Sequence, residues 1–536
     1  MTRFVNKGGL VFLASLALPA ILLLTGGPHV LKGFPLDDAW IHMVYGRSIA
    51  AGGFPAYNAG IPATGSTSPL WAYIIGLIHL LSSKPAIIVL GVKGVGIVCH
   101  GFSAWALYRI VKKLSSSNSV GFICGMILGF SPALAASSIS GMEISLGCAV
   151  CLWGIERYSE KRFLAAGIMF GLAGLTRPEY AIVIIVLLGD LLVSVLRKEV
   201  PWKRMFELVA PIAIAGGLFL GWDLFVDGRP FPATFYVKTR PLSDFPLFDR
   251  VYFAFHILTR DAPLAGWVAW SGLIGGLFMG KQGKRQLFLF LVSASLFTLA
   301  QIVMIAPADP WSFYHIRYLL PVVPLFWISL AAGVWAGFSF LWRSKADSGG
   351  FPWKKVLGLG YLVVTLMITF VNLARGNINW SAKFENDCRN IDEVQVELGR
   401  AIDRGFPQNA VVGTVDAGAI KYFGKRRTID LIGLNTPDVL RDMAVRLDAV
   451  VLMPAWIKLP EDHGLEIVGM RKTKDYQVTS NPRMDHQVIM VCRGEGSSLL
   501  TPIKLLANKI NIRLNCMASD RIELLKAQFN YKSYER

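Results

Sequence analysis

The sequence predicts a mainly α-helical polytopic membrane protein, with about eleven transmembrane helices and a small extracytoplasmic C-terminal α/β domain. Three observations carry this expectation. Of 536 residues, 53% are hydrophobic and only 17% charged, with a mean hydropathy of +0.48; a soluble enzyme of this size needs more charge on its surface. Apolar runs near the ~20 residues that a bilayer requires recur along the chain to residue 374. Beyond residue 375 those runs stop and charge rises. The net charge of +18 invites a nucleic-acid reading, but Lys and Arg gather at the ends of apolar runs, where they hold loops in the cytoplasm. No nucleic-acid partner is expected.

The first span is roughly 8–26. Arg3 and Lys7 precede it, and no small-x-small cleavage site follows, so it reads as an uncleaved helix rather than a signal peptide. A long loop, 27–85, comes next. Its apolar run 69–82 begins at Pro69 and is short for a span, which fits a helix lying at the interface. Spans then follow near 86–111, 118–136, 141–157, 163–176, 179–197, 205–226, 264–280, 286–305, 318–342 and 355–374. Charge tests this count. The clusters Lys112/Lys113, Arg157/Lys161/Arg162, Arg197/Lys198/Lys203/Arg204, Lys281/Lys284/Arg285 and Arg343/Lys345/Lys354/Lys355 share one side, and that side is the cytoplasm only if 69–82 does not cross. The positive-inside rule then puts the N-terminus in the cytoplasm and the C-terminal domain outside. Residues 1–375 form the membrane domain.

Residues 376–495 read as a soluble α/β domain, with helical spacing over 391–404 and short buried strands at 410–415, 428–432, 449–453 and 486–492. The basic tail 496–536 carries no assignable element. Of the 7 cysteines, Cys99, Cys124, Cys148 and Cys151 lie in apolar runs as small core residues. Cys388 and Cys492 flank the C-terminal domain, either as a pair in an oxidising compartment or as two free thiols. No zinc-type spacing occurs.

Chemistry-bearing residues collect at the outer ends of spans. Asp37 and Asp38 sit just outside the first span, where a general base would face an acceptor hydroxyl; the plain alternative is a helix start before Ala39-Trp40. The same loop holds Tyr45, Tyr57, Asn58, Ser68 and Trp71, a mixture that suits either a sugar surface or an interfacial belt. Further clusters contain Glu143, Arg177 with Glu179, Tyr236 with Lys238 and Arg240, and His315 with Arg317 and Tyr318. A phosphate leaving group needs cations near it, and Arg177, Lys238, Arg240 and Arg317 are the candidates, with arginine's planar fork best matched to phosphate.

In order, "DDAWIHMVYGRSIAAGGFPAYNAG…TGSTSPLWAYI", "SGMEISL", "GLAGLTRPEYA", "PFPATFYVKT", "RYLLPVVP" and "VDAGAIKYFGKRRTIDLIGLNTPDV" resemble the GT-C membrane glycosyltransferases related to the polyprenyl-phosphate-arabinose-dependent cell-wall arabinofuranosyltransferases. The resemblance spans roughly residues 8–440. It implies a bacterial inner-membrane enzyme with Asp37 or Asp38 as general base and two juxtamembrane helices in the first loop. It further implies a polyprenyl-phosphate sugar donor, a cell-envelope glycan or glycolipid acceptor, inversion, and a periplasmic C-terminal domain. The donor side would comprise Arg177, Glu179, Tyr236, Lys238, Arg240, His315, Arg317 and Tyr318. The acceptor side would comprise Tyr45, Tyr57, Asn58, Ser68, Trp71, Glu143 and Asp416, the last also a candidate for a plain strand-end turn. No cofactor is expected, and a divalent metal is left open, because two carboxylates without further acidic ligands make a poor cage. The alternatives are a transporter or flippase of lipid-linked sugars, for which inverted repeats are a frequent sign and none is seen, and a non-catalytic membrane scaffold.

Overall fold

The computed structural model describes residues 7–238, 251, 276–305, 317–343, 352–436, 445–453, 464–472, 486–494, 498–505 and 508–529. The chain enters through α1 (Lys7–Ser15) and α2 (Ala17–Thr25), which together make one apolar span. A short α3 (Gly27–Lys32) leads through extended Leu36 into α4 (Asp37–Ala50). A small antiparallel hairpin, β1 (Ala56–Asn58) with β2 (Ile61–Pro62), separates α4 from α5 (Pro69–Leu81). Helices α4 and α5 pack closely because Gly46 faces Ile75, leaving no room for a Cβ. Helix α5 buries Trp71, Ala72 and Ile75 and exposes Leu77, Leu80 and Leu81. At 13 residues it extends about 20 Å, too short to cross the ~30 Å apolar core of a bilayer.

The bundle continues with α6 (Pro85–Ser115), α7 (Asn118–Gly129), α8 (Pro132–Ser138), α9 (Ile144–Ser159), α10 (Phe163–Thr176), α11 (Ala181–Leu196), α12 (Lys203–Asp227) and the short α13 (Ala233–Lys238). After a break come α14 (Lys281–Ile305), α15 (Val323–Arg343) and the 39-residue α16 (Trp353–Ile391). Proline starts α5, α6 and α8 in their first turn, where its missing N–H costs nothing. Large apolar side chains stay exposed on the outside, among them Leu218 and Phe225 on α12 and Val364 and Phe370 on α16. Such a surface needs lipid rather than water, and the chain is a multi-pass membrane protein.

Six helices of the described residues are long and apolar enough to cross a membrane, or seven if α7 and α8, bent by 59° at Pro132, make one span. The expected count of about eleven is not reached among them. Helices α9 and α10 are only 16 and 14 residues long, and most of the expected span 264–280 lies outside the described residues. Ion pairs join the basic clusters of different helices at one end of the bundle. Arg109 Nε lies 2.5 Å from Glu156 Oε1, Lys113 Nζ 2.9 Å from Glu160 Oε1, and Arg285 Nε 2.6 Å from Asp190 Oδ1. The first turns of α4 and α9 and the last turn of α10 lie at the other end.

Helix α16 runs without a break across residue 375, through a π-helical turn at Asp392–Val396 and into α17 (Glu397–Gly405). It hands the chain to an α/β unit. Strand β3 (Val411–Thr414) leads to α18 (Ala419–Gly424) and β4 (Arg427–Asp430). Then come β5 (Val445–Leu447), β6 (Ala449–Leu452), β7 (Leu465–Lys472), β8 (His486–Arg493), β9 (Ser498–Leu505), β10 (Asn508–Met517) and α19 (Ser519–Gln528). The sheet order is β4-β3-β6-β8-β10-β5, with β7 against β8 and β9 against β10. In the parallel β4-β3-β6 core, β6 is buried on both faces, which explains its unbroken apolar run Ala449–Leu452.

The tail beyond residue 495, left unassigned by its sequence, supplies two strands and a helix to this unit. Apolar Leu514, Ile522, Leu525 and Phe529 are buried in its cores. Cys492 pairs with Cys516, not with Cys388; Cys388 is a free, fully buried thiol at the end of α16. The disulfide links directly paired residues of β8 and β10, so it fixes the tail to the sheet. Replacing Cys516 by Ser is expected to cost about 2–4 kcal/mol of domain stability, seen as a lower thermal midpoint that reductant no longer shifts.

Candidate active site

The two aspartates at the start of α4 diverge, because consecutive helical residues point about 100° apart. Asp37 turns toward the C-terminal unit. Its Oδ2 accepts the Gly418 N–H and its Oδ1 the Ala419 N–H, each at 2.7 Å. It therefore caps α18, whose first turn presents unsatisfied amides. Asp38 turns the other way, into a cavity of about 510 Å³. There its Oδ2 lies 2.9 Å from Arg317 Nη1.

Arg317 is buried and needs this counter-ion. Its Nη2 donates to the Tyr318 hydroxyl at 2.9 Å, and its guanidinium carbon lies 4.8 Å from the Tyr318 ring centre. Burial disfavours the charge of Arg317, but the Asp38 carboxylate and the Tyr318 hydroxyl outweigh it and hold its pKa above the ordinary arginine value. The same ring lies 5.7 Å from the Arg177 guanidinium. Arg177 closes α10 and donates to Glu143 Oε1 at 2.9 Å and to Glu179 Oε1 at 3.0 Å. Glu143 is shared with His42, whose Nε2 lies 3.2 Å from Oε2. His42 stands four residues after Asp38, hence on the same face of α4. One end of the cavity is thus a continuous ionic cluster: Asp38, Arg317, Arg177, Glu143, Glu179 and His42.

The other end is apolar. Phe170, Gly171 and Gly174 of α10, Ile182 of α11, and Ile212, Gly216 and Phe219 of α12 form its walls. Gly171 lets α12 approach α10, since a Cβ there would meet the Pro211 carbonyl at 3.0 Å. A charged head and an apolar trough in one cavity match an amphipathic ligand.

A third carboxylate stands behind the pair. Asp416 follows β3 and accepts from Gln395 Nε2 at 3.0 Å and from Gln487 Nε2. Burial, with Asp38 and Asp430 nearby, pushes its carboxyl up to about 6, against the lowering effect of the two glutamines. Burial and Asp416 likewise raise Asp37 well above the usual carboxylate range, with the two backbone amides opposing. Among the described residues no three His, Cys, Asp or Glu side chains are grouped to hold a metal ion.

Several residues expected on the acceptor side instead bond the scaffold. The Tyr57 hydroxyl donates to the Ala417 carbonyl at 2.7 Å, Asn58 Nδ2 to the Thr428 carbonyl at 2.8 Å, Ser68 Oγ to the Thr176 carbonyl at 2.5 Å, and Trp71 Nε1 to the Gly141 carbonyl at 2.8 Å. None of the four lines the cavity. Tyr45 donates to Asn435 Oδ1 at 3.1 Å and is fully buried. These bonds fasten the first loop to the C-terminal unit, to α10 and to the turn before α9. Tyr236 lies beside Arg229, 5.1 Å from its guanidinium, and is not among the lining residues. Lys238 ends α13; Arg240 and His315 fall outside the described residues. Glu143, Arg177, Glu179, Arg317 and Tyr318 line the cavity with Asp38.

Sequence reading missed His42, Ser66, Thr67, Thr234, Gln301 and Asn435, all of which line the cavity. The i, i+4 spacing of Asp38 and His42 was the available signal for the first. Asn435 reaches the cavity from beyond β4 because Asp430 ties its turn. Asp430 Oδ1 accepts from Ile432 N, and Oδ2 accepts both nitrogens of Asn435, all at 2.9 Å. The Asp37 cap needs Gly418 as closely. A Cβ there would collide with the Asp37 carbonyl oxygen and lie 2.8 Å from its carboxyl carbon. Gly418→Ala is expected to cost about 1–3 kcal/mol at this contact. Faster limited proteolysis of the C-terminal unit, with an intact membrane bundle, is the readout.

Comparison with known proteins fits this geometry. Residues 66–221 match the family described as dolichyl-phosphate-mannose-protein mannosyltransferase, less than half of the chain. Residues 389–497 match a domain family of unknown function. No curated protein matches the sequence. Among solved structures, ArnT from Cupriavidus metallidurans in the apo state superposes with a TM-score of 0.51 at 13% identity, over 90% of this chain and 97% of that one. The same protein bound to undecaprenyl phosphate gives 0.51 at 12%, over 78% and 85%.

The chain has the GT-C fold. At this identity the likeness establishes the fold and leaves chemistry to the site. An oligosaccharyltransferase from Archaeoglobus fulgidus, tethered with an acceptor peptide, gives a TM-score of 0.48 at 12% identity, over 83% of this chain and 69% of that one. The first loop, through α4 and the turn at Gly65–Thr67, carries the Asp38 end of the cavity.

Proposed function

We propose that this protein is a membrane glycosyltransferase that moves a sugar from a polyprenyl-phosphate donor to a hydroxyl of a cell-envelope glycan or glycolipid, with inversion. The observation that carries the reading is the Asp38–Arg317 pair at the head of an apolar-walled cavity. The polyprenyl chain lies along Phe170, Ile182, Ile212 and Phe219, and its phosphate meets Arg317 and Arg177. Asp38 takes the proton of the acceptor hydroxyl. The acceptor oxygen attacks the anomeric carbon as the bond from that carbon to the phosphate oxygen breaks. Polyprenyl phosphate leaves with the electron pair, its developing charge met by the arginines. Attack opposite the leaving group inverts the anomeric centre.

Two roles follow from the pairings. Arg317 stabilises the departing phosphate and positions Asp38. Asp37 does not act as base in this reading: both of its oxygens are engaged by α18 amides, so it docks the C-terminal unit over the site. The Cys492–Cys516 disulfide supports an oxidising, extracytoplasmic side for that unit. The basic clusters at the far end of the bundle support a cytoplasmic side there. In a bacterium this orientation places the site on the periplasmic side of the inner membrane. ArnT bound to undecaprenyl phosphate shares the fold, and a lipid of that class is the donor carrier proposed here.

Transfer of radiolabelled sugar from a panel of polyprenyl-phosphate sugars, with purified protein in EDTA, tests this. Label moving to acceptor in EDTA is the expected outcome. Turnover lost in EDTA and restored by a divalent ion would replace the metal-free mechanism. Donor binding without turnover across plausible acceptors would favour a carrier of lipid-linked sugars.

A further inference from the structure

The ionic cluster does not account for the whole polar surface of the cavity. A second, uncharged patch joins three segments distant in sequence: the turn at Gly65–Thr67, the start of α13, and the turn at Leu434–Asn435. They meet closely. Ala233 N donates to Thr64 Oγ1 at 3.3 Å. Gly65 lies against Asn435 Oδ1, and a Cβ there would lie 2.5 Å from the Tyr45 hydroxyl and 2.8 Å from the Leu434 carbonyl oxygen.

Within this patch Ser66 Oγ and Thr234 Oγ1 are buried with no hydrogen-bond partner among the described residues. A buried hydroxyl without a partner costs about 1–3 kcal/mol, so two of them on one cavity wall call for a ligand that supplies donors and acceptors. Asn435 is fully committed in orientation, through Asp430 and Tyr45, yet its amide retains one N–H and one lone pair. Phe231 and Phe235, with ring centres 4.8 Å apart, line the cavity beside them. Every ionisable side chain of the Asp38–Arg317–Arg177–Glu143 cluster belongs to other elements.

Hydroxyl and amide groups beside aromatic faces, without formal charge, are the chemistry of a neutral hydroxylated ring. We infer that Ser66, Thr234 and Asn435, with Phe231 and Phe235, hold the transferred sugar ring and select an uncharged, hydroxyl-bearing glycosyl unit over an acidic or amino sugar. This rests on the donor reading above and deepens it. The C-terminal unit, through Asn435, then takes part in choosing the sugar, and phosphate recognition and sugar recognition use separate patches of one cavity. A uronate placed in this patch would lose hydration and face the Asp430 carboxylate behind Asn435, and an ammonium would find the Asp430 oxygens already committed to Ile432 and Asn435.

The test compares binding of bare undecaprenyl phosphate with that of undecaprenyl-phosphate carrying a neutral hexose or pentose, a hexuronate, or an amino sugar. The full-length wild type, Thr234→Val and Ser66→Ala are measured in parallel. Thr234→Val keeps the side chain's shape and removes only the hydroxyl. The expected result is a preference for the neutral donors in wild type, a loss of about tenfold in affinity for the preferred neutral donor in each variant, and unchanged affinity for the bare lipid. Equal weakening of bare and sugar-bearing lipids, or preferred binding of a charged sugar in wild type, would overturn the inference while leaving the donor reading intact. Absence of bare-lipid and donor binding in wild type would overturn the donor reading, and this inference with it.

Discussion

Asp38→Asn is expected to lower sugar transfer by about 10²–10⁴-fold, the usual contribution of a positioned general base, while leaving donor binding within a few-fold of wild type. Asparagine keeps the shape of the side chain and an acceptor oxygen for Arg317, but it takes no proton. Arg317 still retains the Tyr318 hydroxyl, but it is buried, so losing its charged partner is expected to cost stability as well. A melting curve beside the kinetics separates a chemical defect from a folding one. Asp37→Asn is the informative contrast. Its effect comes through the α18 cap, so it is expected to loosen the C-terminal unit and lower turnover less than Asp38→Asn.

The second large effect is expected at Arg317. Arg317→Met removes the cation that faces the leaving phosphate, and preorganised groups of that kind contribute about 10²–10³-fold to kcat. Methionine fills the apolar part of the space, so packing is largely conserved. Lysine is expected to rescue only in part. One ammonium cannot reproduce the two directions in which the guanidinium bonds Asp38 and the Tyr318 hydroxyl. Bare polyprenyl phosphate binding should weaken with Arg317→Met and not with Asp38→Asn. Measuring kcat and lipid affinity for both variants reads the two roles apart.

Much of this was legible in the sequence for identifiable reasons. Long apolar runs marked α6 and α12. The interfacial reading of 69–82 came from its length and its opening Pro69. The separation of Asp37 from Asp38 was not legible, because it depends on where residues 418 and 419 fall some 380 positions later. Tyr57, Asn58 and Trp71 look like sugar contacts by type, yet long-range backbone partners claim their polar atoms. The strands β9 and β10 were hidden for a different reason. Their sequence alternates weakly and is basic, and what fixes them is the Cys492–Cys516 link and the pairing of β9 along β10. Ser66, Thr234 and Asn435 were hidden too, because they converge only through the contact of Gly65 with Asn435 and the Ala233–Thr64 hydrogen bond.

The measurement that tests the central claim most directly uses the protein reconstituted in sealed vesicles with a labelled polyprenyl-phosphate sugar on the side of the C-terminal unit, and an acceptor on the same side. The account predicts that free polyprenyl phosphate and glycosylated acceptor appear together in equal amounts, and that Asp38→Asn produces neither. Intact lipid-linked sugar accumulating in the opposite leaflet, with no polyprenyl phosphate released, would contradict it.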